Sequence, residues 1–379
     1  MLKLLHTADW HLGRVLHHQS LLEDQAHVLE QIIAYATEHD VDGVLVAGDI
    51  YDRSMPPAEA VRLLNQTVNR FAALGVPLIM ISGNHDSAER LGFAAEQLQK
   101  TGLHILSDLH RVTEPVRLQK GEIRLQIFGI PFADPERVRN QFDTPVSDYD
   151  QAHSFLVEQI QQARDKAIPS VLMSHCFVDG AQTSESEKTL SVGGSDRVSY
   201  EPMLDFDYVA LGHLHAPQFR GAAHIRYSGS PLKYSFSEHQ HNKGLTLLSF
   251  DQSGLVDQQH LPLKSQRDVR VIEGMLDEVI EQGKEDPHND DYVMVRLNDT
   301  TALLDPMGGL REVYPNVLHL EKRLLQQDQV GQANREHIKL DAPKLIADFY
   351  QQIQGEPLTD QQQALIEQAL NQLNKEPSQ

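Results

Sequence analysis

Four apolar runs constrain this chain more than any other feature: VDGVLVAG (41–48), VPLIMISG (76–83), IPSVLMS (168–174) and FDYVALG (206–212). Each has the length of a strand, and none alternates apolar with polar residues. Such strands are buried on both faces, as in a parallel sheet covered by other layers. RLQIFGIP (124–131) and LTLLSFD (245–251) add two more, the second followed by the turn signal Gln252-Ser253-Gly254. Residues 21–39 and 56–75 carry apolar side chains at helical spacing, with Pro56-Pro57 suited to a helix start and Gly75 to its stop. The pattern predicts α/β layering over the first 265 or so residues.

The same strands share an ending. Each run stops at a small residue and then presents groups suited to metal ions: Gly48-Asp49, Gly83-Asn84-His85-Asp86, Ser174-His175, and Gly212-His213 with His215. LLHTADWHLG (4–13) adds Asp9 and His11, two apart and so on one face if the backbone stays extended. Trp10 would then face the other way and pack beneath them. In open α/β sheets, ligand sites lie beyond the carboxyl ends of the strands. Asp-x-His or Gly-Asp alone reads as a turn or a helix cap, and Gly-His-Leu-His alone is as much a metal hint as a structural one; their occurrence in this order, each at a strand end, points to one convergent site.

With 379 residues, 40% hydrophobic and 23% charged, the chain has material for two or three domains. Past residue 265, the segments RDVRVIEG, MLDEVIEQGKE, DYVMVRLND, PMGGLREVY and NVLHLEKRL read as strand, helix, strand, helix and strand, a small α+β domain. Residues 326–341 read as a polar linker, and 342–379 as amphipathic helices around Gly-Glu-Pro, with Ile346, Phe349, Tyr350 and Ile353 at helical spacing. The N-terminus has no signal-peptide pattern, no run spans a bilayer, and the single Cys176 fits a reducing compartment; the expectation is cytoplasmic. A net charge of −21 argues against an autonomous nucleic-acid binder.

The succession D-x-H, G-D-x-x-D-R, G-N-H-D, H and G-H-x-H resembles the calcineurin-like metallophosphoesterases, over roughly residues 1–250. The resemblance implies two β-sheets sandwiched between helices, with a two-metal site at the strand ends. Asp49 would bridge the ions. Asp9, His11 and His215 would complete one ligand set, and Asn84, His175 and His213 the other. Mixed O/N ligation suits Mn²⁺, Fe²⁺ or Zn²⁺, and the family favours Mn²⁺ with Mg²⁺ a weaker substitute. His85 would be catalytic, and the Asp52 carboxylate would orient it.

HTADWHLG, AGDIYDRSMPP, ISGNHDS, LGHLH and YSGSPLKYSF together resemble the SbcD family of bacterial nuclease subunits. That likeness runs over nearly the whole chain. It implies a nuclease domain (1–265), a DNA-capping domain (266–325), the linker (326–341) and a helical segment (342–379) docking on the ATPase partner SbcC. It further implies ATP-dependent double-strand 3′–5′ exonuclease and single-strand or hairpin endonuclease activity. These would serve DNA repair, recombination and replication, in a nucleoid-associated heterotetramer. ATP would enter through the partner only. Residues 56–75 are the candidate homodimer segment. Arg14, Arg53, Arg90, Lys188, Arg197 and Lys233 are the candidate phosphate contacts. The alternative is a phosphoesterase acting on small nucleotides or phosphoproteins, and a non-catalytic DNA-end scaffold is a third reading.

Overall fold

The structure, a computed structural model, describes residues 1–187, 196–299, 303–322, 350, 357–359 and 361–366. Lys188, the linker 326–341 and all but a few residues of 342–379 therefore lie outside the described residues. The chain divides after Arg270 into two compact units.

In the first unit the principal elements are β1 (Leu2–Thr7), α1 (Leu22–Glu38), β2 (Gly43–Ala47), α2 (Ala58–Leu74), β3 (Leu78–Ile81), β4 (Leu103–Leu106), β5 (Val116–Lys120) and β6 (Ile123–Ile130). They continue with α3 (Pro135–Phe142), α4 (Tyr149–Ala163), β7 (Ser170–His175), β8 (Tyr208–Gly212), β9 (Gln218–Arg220), β10 (Ala222–Tyr227), β11 (Gly244–Asp251) and β12 (Gly254–Pro262). Two six-stranded sheets result, in the orders β12-β11-β1-β2-β3-β4 and β9-β10-β8-β7-β6-β5.

The middle of each sheet is parallel: β1 to β4 in the first, and β6, β7, β8 and β10 in the second. Antiparallel β11 and β12 extend the first sheet beyond β1, leaving parallel β4 at its other edge, and antiparallel β9 and β5 form both edges of the second. Alternation along each strand then sorts the core into layers. On β2, Leu45 and Ala47 join Ile79 and Ile81 against Ile127, Val171, Met173 and Ala210 of the second sheet. Val44 and Val46 face the other way, onto Leu29, Ile32, Leu64 and Phe71 of α1 and α2. Phe128, Leu172 and Val209 pack on Leu156, Val157 and Ile160 of α4. The molecule's first unit is thus the helix–sheet–sheet–helix sandwich that the resemblance implies.

The helix ends follow the sequence. Pro57 caps α2 in extended conformation, and Gly75 ends it with φ of 69°, a left-handed position where a Cβ is costly. α3 and α4 were not legible from pattern alone. α3 carries one buried apolar residue, Val138, among charged neighbours, and α4 interrupts its apolar face with a buried His153.

The second unit carries the sheet β13-β14-β15 (Val269–Gly274, Tyr292–Leu297, Val317–Lys322), whose β14–β15 pair is parallel, with α5 (Leu276–Glu285) and α6 (Pro306–Val313). All five expected segments take their expected type. Val279, Val293, Val295, Leu310 and Tyr314 form its core. Among the described residues, no helix is long and apolar enough to cross a membrane.

Candidate metal centre

Strands β1, β2, β3, β7 and β8 deliver their following residues to one place, but not by simple extension. β1 ends at Thr7, and the backbone then enters the left-handed region at Asp9 (φ 54°) and His11 (φ 45°). The expectation of an extended Asp-x-His is corrected here: the two side chains meet because the backbone turns twice. Asp49 (φ 48°) and His213 (φ 102°) are also left-handed. These conformations are held by pairing between loops, with Asp9 N–H donating to Gly48 O (3.0 Å), His11 N–H to Asp49 O (2.9 Å) and Leu12 N–H to Ile50 O (3.0 Å). Gln25 Nε2 and the Tyr234 hydroxyl both donate to the Trp10 carbonyl, while the indole is fully buried on the helix side and donates to Thr7 Oγ1 (3.1 Å).

Asp49 sits centrally. Its Oδ2 lies 3.5 Å from His11 Nε2 and 3.5 Å from His175 Nε2, while Oδ1 accepts the His85 N–H (2.8 Å). On one side, donor atoms of Asp9, His11 and His215 cluster within 4.8 Å of one another, with His11 Nε2 only 3.1 Å from His215 Nε2. On the other side, Asn84 Oδ1 lies 2.9 Å from His175 Nε2 and 3.0 Å from His213 Nδ1. Asp9, Asp49 and His175 also cluster within 4.8 Å. All seven residues chosen from the sequence as ligands are therefore brought together, around Asp49.

The two sheets are joined at the same spot. His175 Nδ1 donates to Ala47 O (2.9 Å), leaving Nε2 toward Asn84 and Asp49, and the His213 N–H donates to both Asp9 oxygens (3.0 and 3.2 Å). Gly212 allows this approach: a Cβ there would lie 1.8 Å from Ala47 O. A Cβ on Gly83 would lie 2.1 Å from Asp49 Oδ1. Asp86 braces the 49–51 and 83–86 loops by accepting from Ile50 N (3.1 Å), Tyr51 N (2.9 Å) and Gly83 N (2.9 Å).

The electrostatics of the protein alone are unfavourable, which is a metal-site signature. Burial, then the adjacent Asp49 carboxylate, pushes Asp9 well above the usual carboxylate range. Burial likewise raises Asp86 to about 7. Burial, and then neighbouring imidazoles, hold His11 and His213 well below 6.5, and burial lowers His175 despite Asp49. Buried His11 Nδ1 and Asn84 Nδ2 have no hydrogen-bond partner. Imidazole nitrogens and carboxylate oxygens gathered within 4.8 Å of one another fit divalent cations, and the O/N donor set without thiolate fits the borderline and hard ions.

His85 is half-buried, and its ring lies 4.7 Å from that of His11. Its Nδ1 is 2.8 Å from the main-chain carbonyl of Asp52. The Asp52 carboxylate does something else: Oδ1 accepts from Arg14 (2.8 Å) and lies 3.6 Å from His11 Nδ1. The expected orienting group is thus the right residue but the wrong atom, because the turn after Asp49 points the carbonyl at His85. Among the expected phosphate contacts, Lys233 is committed to the fold. Its side chain is 11% exposed and bonds His239 O (2.7 Å) and Asp268 (2.9 Å). Arg14 is held by Asp52 and Ser186 O, Arg90 donates to Ser54 O, and Arg197 pairs with Asp179. Arg53 is 70% exposed, with its Nε 3.6 Å from Asp52 Oδ2.

Sequence reasoning missed the support behind His215. Glu238 and Lys243 form a buried ion pair next to it. Burial pushes Glu238 up, but Lys243 and His215 outweigh it and hold the carboxyl well below its usual range. Lying 23 and 28 residues beyond His215, the two have no spacing signal; only the family signature YSGSPLKYSF lies near them.

A family model described as calcineurin-like phosphoesterase matches residues 2–217, and one described as the Type 5 capsule protein repressor C-terminal domain matches 265–354. A Staphylococcus epidermidis protein, named as the SbcD subunit of the nuclease SbcCD, is 34% identical over 98% of both chains. Its namesake from Staphylococcus saprophyticus is 35% identical over the full length of both. The chain belongs to the SbcD family of calcineurin-like phosphoesterases. Among solved structures, a dimetal phosphatase from Danio rerio is 12% identical over 69% of this chain and 99% of that one, with a TM-score of 0.41. Family membership accordingly rests on the full-length SbcD relatives and the matched domain, and it agrees with the two-sheet sandwich and the strand-end cluster.

Proposed function

We propose that this chain is a metal-dependent nuclease subunit that hydrolyses DNA phosphodiester bonds in an SbcCD-type complex. The observation that carries the reading is Asp49 Oδ2, equidistant at 3.5 Å from an imidazole of each of two donor clusters. Two divalent ions, Mn²⁺ by preference, would there neutralise phosphate charge and stabilise the attacking and leaving oxygens. Asp49 supplies a carboxylate between the two clusters, and Asp9, His11 and His215 face Asn84, His175 and His213 across it. His85 donates its Nδ1 hydrogen to the Asp52 carbonyl, which leaves Nε2 for the substrate; in the doubly protonated imidazolium form Nε2 would give its proton to the leaving oxygen. Arg53, exposed at the rim, steers the phosphate backbone.

The finer reading follows the motif resemblance: 3′–5′ exonuclease on duplex ends, endonuclease on single strands and hairpins, and ATP acting through SbcC. A partner that binds DNA reconciles the charge of −21 with a nucleic-acid substrate. Segment 56–75 is proposed as the homodimer contact, and 342–379 as the partner-docking segment.

The test is His85→Gln. It should bind Mn²⁺ and DNA as the parent does and cleave about 10²–10⁴-fold more slowly, measured on linear, hairpin and single-stranded DNA with and without SbcC and ATP. Cleavage at the parental rate would remove His85 from the mechanism. Turnover of aryl phosphates or cyclic nucleotides but not DNA would overturn the nuclease reading itself.

A further inference from the structure

His215 is the most heavily supported residue of the cluster. Its N–H donates to Glu187 Oε1 (2.7 Å), and its carbonyl accepts from Lys243 Nζ (2.8 Å) and Ser230 N (3.2 Å). Its Nδ1 lies 2.7 Å from Ser186 Oγ and 3.2 Å from Glu238 Oε1, and the Ser186 hydroxyl donates to that same carboxylate oxygen. Glu238 is 0% exposed.

The protons around this group can be counted. Lys243 has three N–H bonds, and its three shortest contacts take them: Glu238 Oε2 (2.5 Å), His215 O and Ser230 Oγ (both 2.8 Å), with His241 Nδ1 farther off at 3.4 Å. Ser230 in turn donates its hydroxyl proton to Leu232 O (2.7 Å). Glu238, ionised opposite Lys243, only accepts. Ser186 lies between a carboxylate that can only accept and the imidazole, so its single proton satisfies Glu238 and leaves nothing here to donate to His215 Nδ1. That nitrogen must carry the hydrogen itself, toward the Ser186 oxygen and the carboxylate behind it.

We propose that Glu238 is the positioning residue of the His215 imidazole, fixing its proton on Nδ1 so that Nε2 turns its lone pair to the cation site shared with Asp9 and His11. The inference rests on the metal-centre reading above and assigns Lys243 and Ser186 a purpose within it. Lys243 keeps Glu238 an acceptor, and Ser186 relays the contact from the 184–187 segment, which Glu187 fastens to the His215 backbone. A carboxylate that accepts the distal N–H of a ligating histidine raises its basicity and fixes its tautomer; loss of such a partner costs about 10–100-fold in metal affinity.

The experiment uses the full chain and Mn²⁺. Nitrogen-15 NMR of the histidines in metal-free protein reads the tautomer, with His215→Gln used to assign the signal, and calorimetric titration reads affinity and stoichiometry. The parent should show His215 protonated at Nδ1. Glu238→Ala should mix the tautomers and weaken Mn²⁺ binding about 10–100-fold. The double variant Glu238→Gln/Lys243→Met, which keeps an acceptor at Nδ1 without an unpaired ammonium, should bind within a few-fold of the parent. A parent protonated at Nε2, or parental affinity in Glu238→Ala, would overturn the assignment. Should Glu238→Ala not fold, the parental tautomer and the affinity of the double variant decide the matter. A chain that binds Mn²⁺ in this Glu238-dependent way yet leaves DNA intact would sink the nuclease reading and leave this one standing.

Discussion

Asp9, His11, Asp49 and His213 occupy backbone conformations that non-glycine residues rarely adopt, at about 1–3 kcal/mol each. Sequence spacing identified all four as candidates and could not foresee this, since a motif records which side chains occur and not how the backbone aims them. The same gap explains Asp52, where the orienting atom is a carbonyl. Away from the ligands, two buried histidines set a pH dependence. Burial lowers His153 from 6.5 to about 4 and His6 to about 3. The unfolded chain takes up these protons near pH 6.5 and the folded one does not, so their contribution is complete above that pH and is lost as pH falls through it. Between pH 7.5 and 4.5, His153 alone should cost on the order of 2–3 kcal/mol of stability, by the ~1.4 kcal/mol per unit rule. Urea unfolding of the parent and His153→Gln at both pH values checks this: the variant should lose less over the interval.

The strands were readable because four of them are short, continuous apolar runs bounded by Gly, Pro or Ser, a pattern that suits a doubly covered sheet. The second unit was readable because each segment is short and its period is unbroken. Strands β9 and β10 were not, being largely half-exposed, and their pairing shifts register at Phe219/Arg220. What lets the strand ends meet across two sheets was also invisible, because it depends on close backbone approach at Gly212. Gly212→Ala should force Ala47 O away from a Cβ built 1.8 Å from it. The expected result is a loss of about 1–3 kcal/mol, typical of overpacking, together with weakened Mn²⁺ binding. Denaturant midpoints and metal titration of the same variant measure both; an unchanged midpoint would contradict the close approach.

At the scale of the molecule, two units with separate cores should unfold separately. Among the described residues, the metal cluster lies in the first. Calorimetry with Mn²⁺ at a hundredfold excess over its dissociation constant should therefore stabilise one transition by about 2.7 kcal/mol per ion and leave the other in place. A chelator should reverse the shift. Metal should also offset the burial and charge crowding that raise the Asp9 carboxyl. A shift in both transitions would mean that the second unit carries a cation site of its own. The surplus of negative charge, legible from composition alone, bears on solubility and association rather than on fold.

The hydrogen bonds from His175 to Ala47 and from His213 to Asp9 each run from one sheet to the other. The residues that would grip metal are therefore also the rivets of the sandwich, and selection for a well-assembled protein would preserve them after chemistry had ceased to matter. A descendant that has abandoned catalysis should shed His85, which holds no such seam, long before it sheds Asp9 or His175. Among relatives of this chain, the survival of His85 is thus the better sign of a working nuclease, and an intact set of ligands the weaker one.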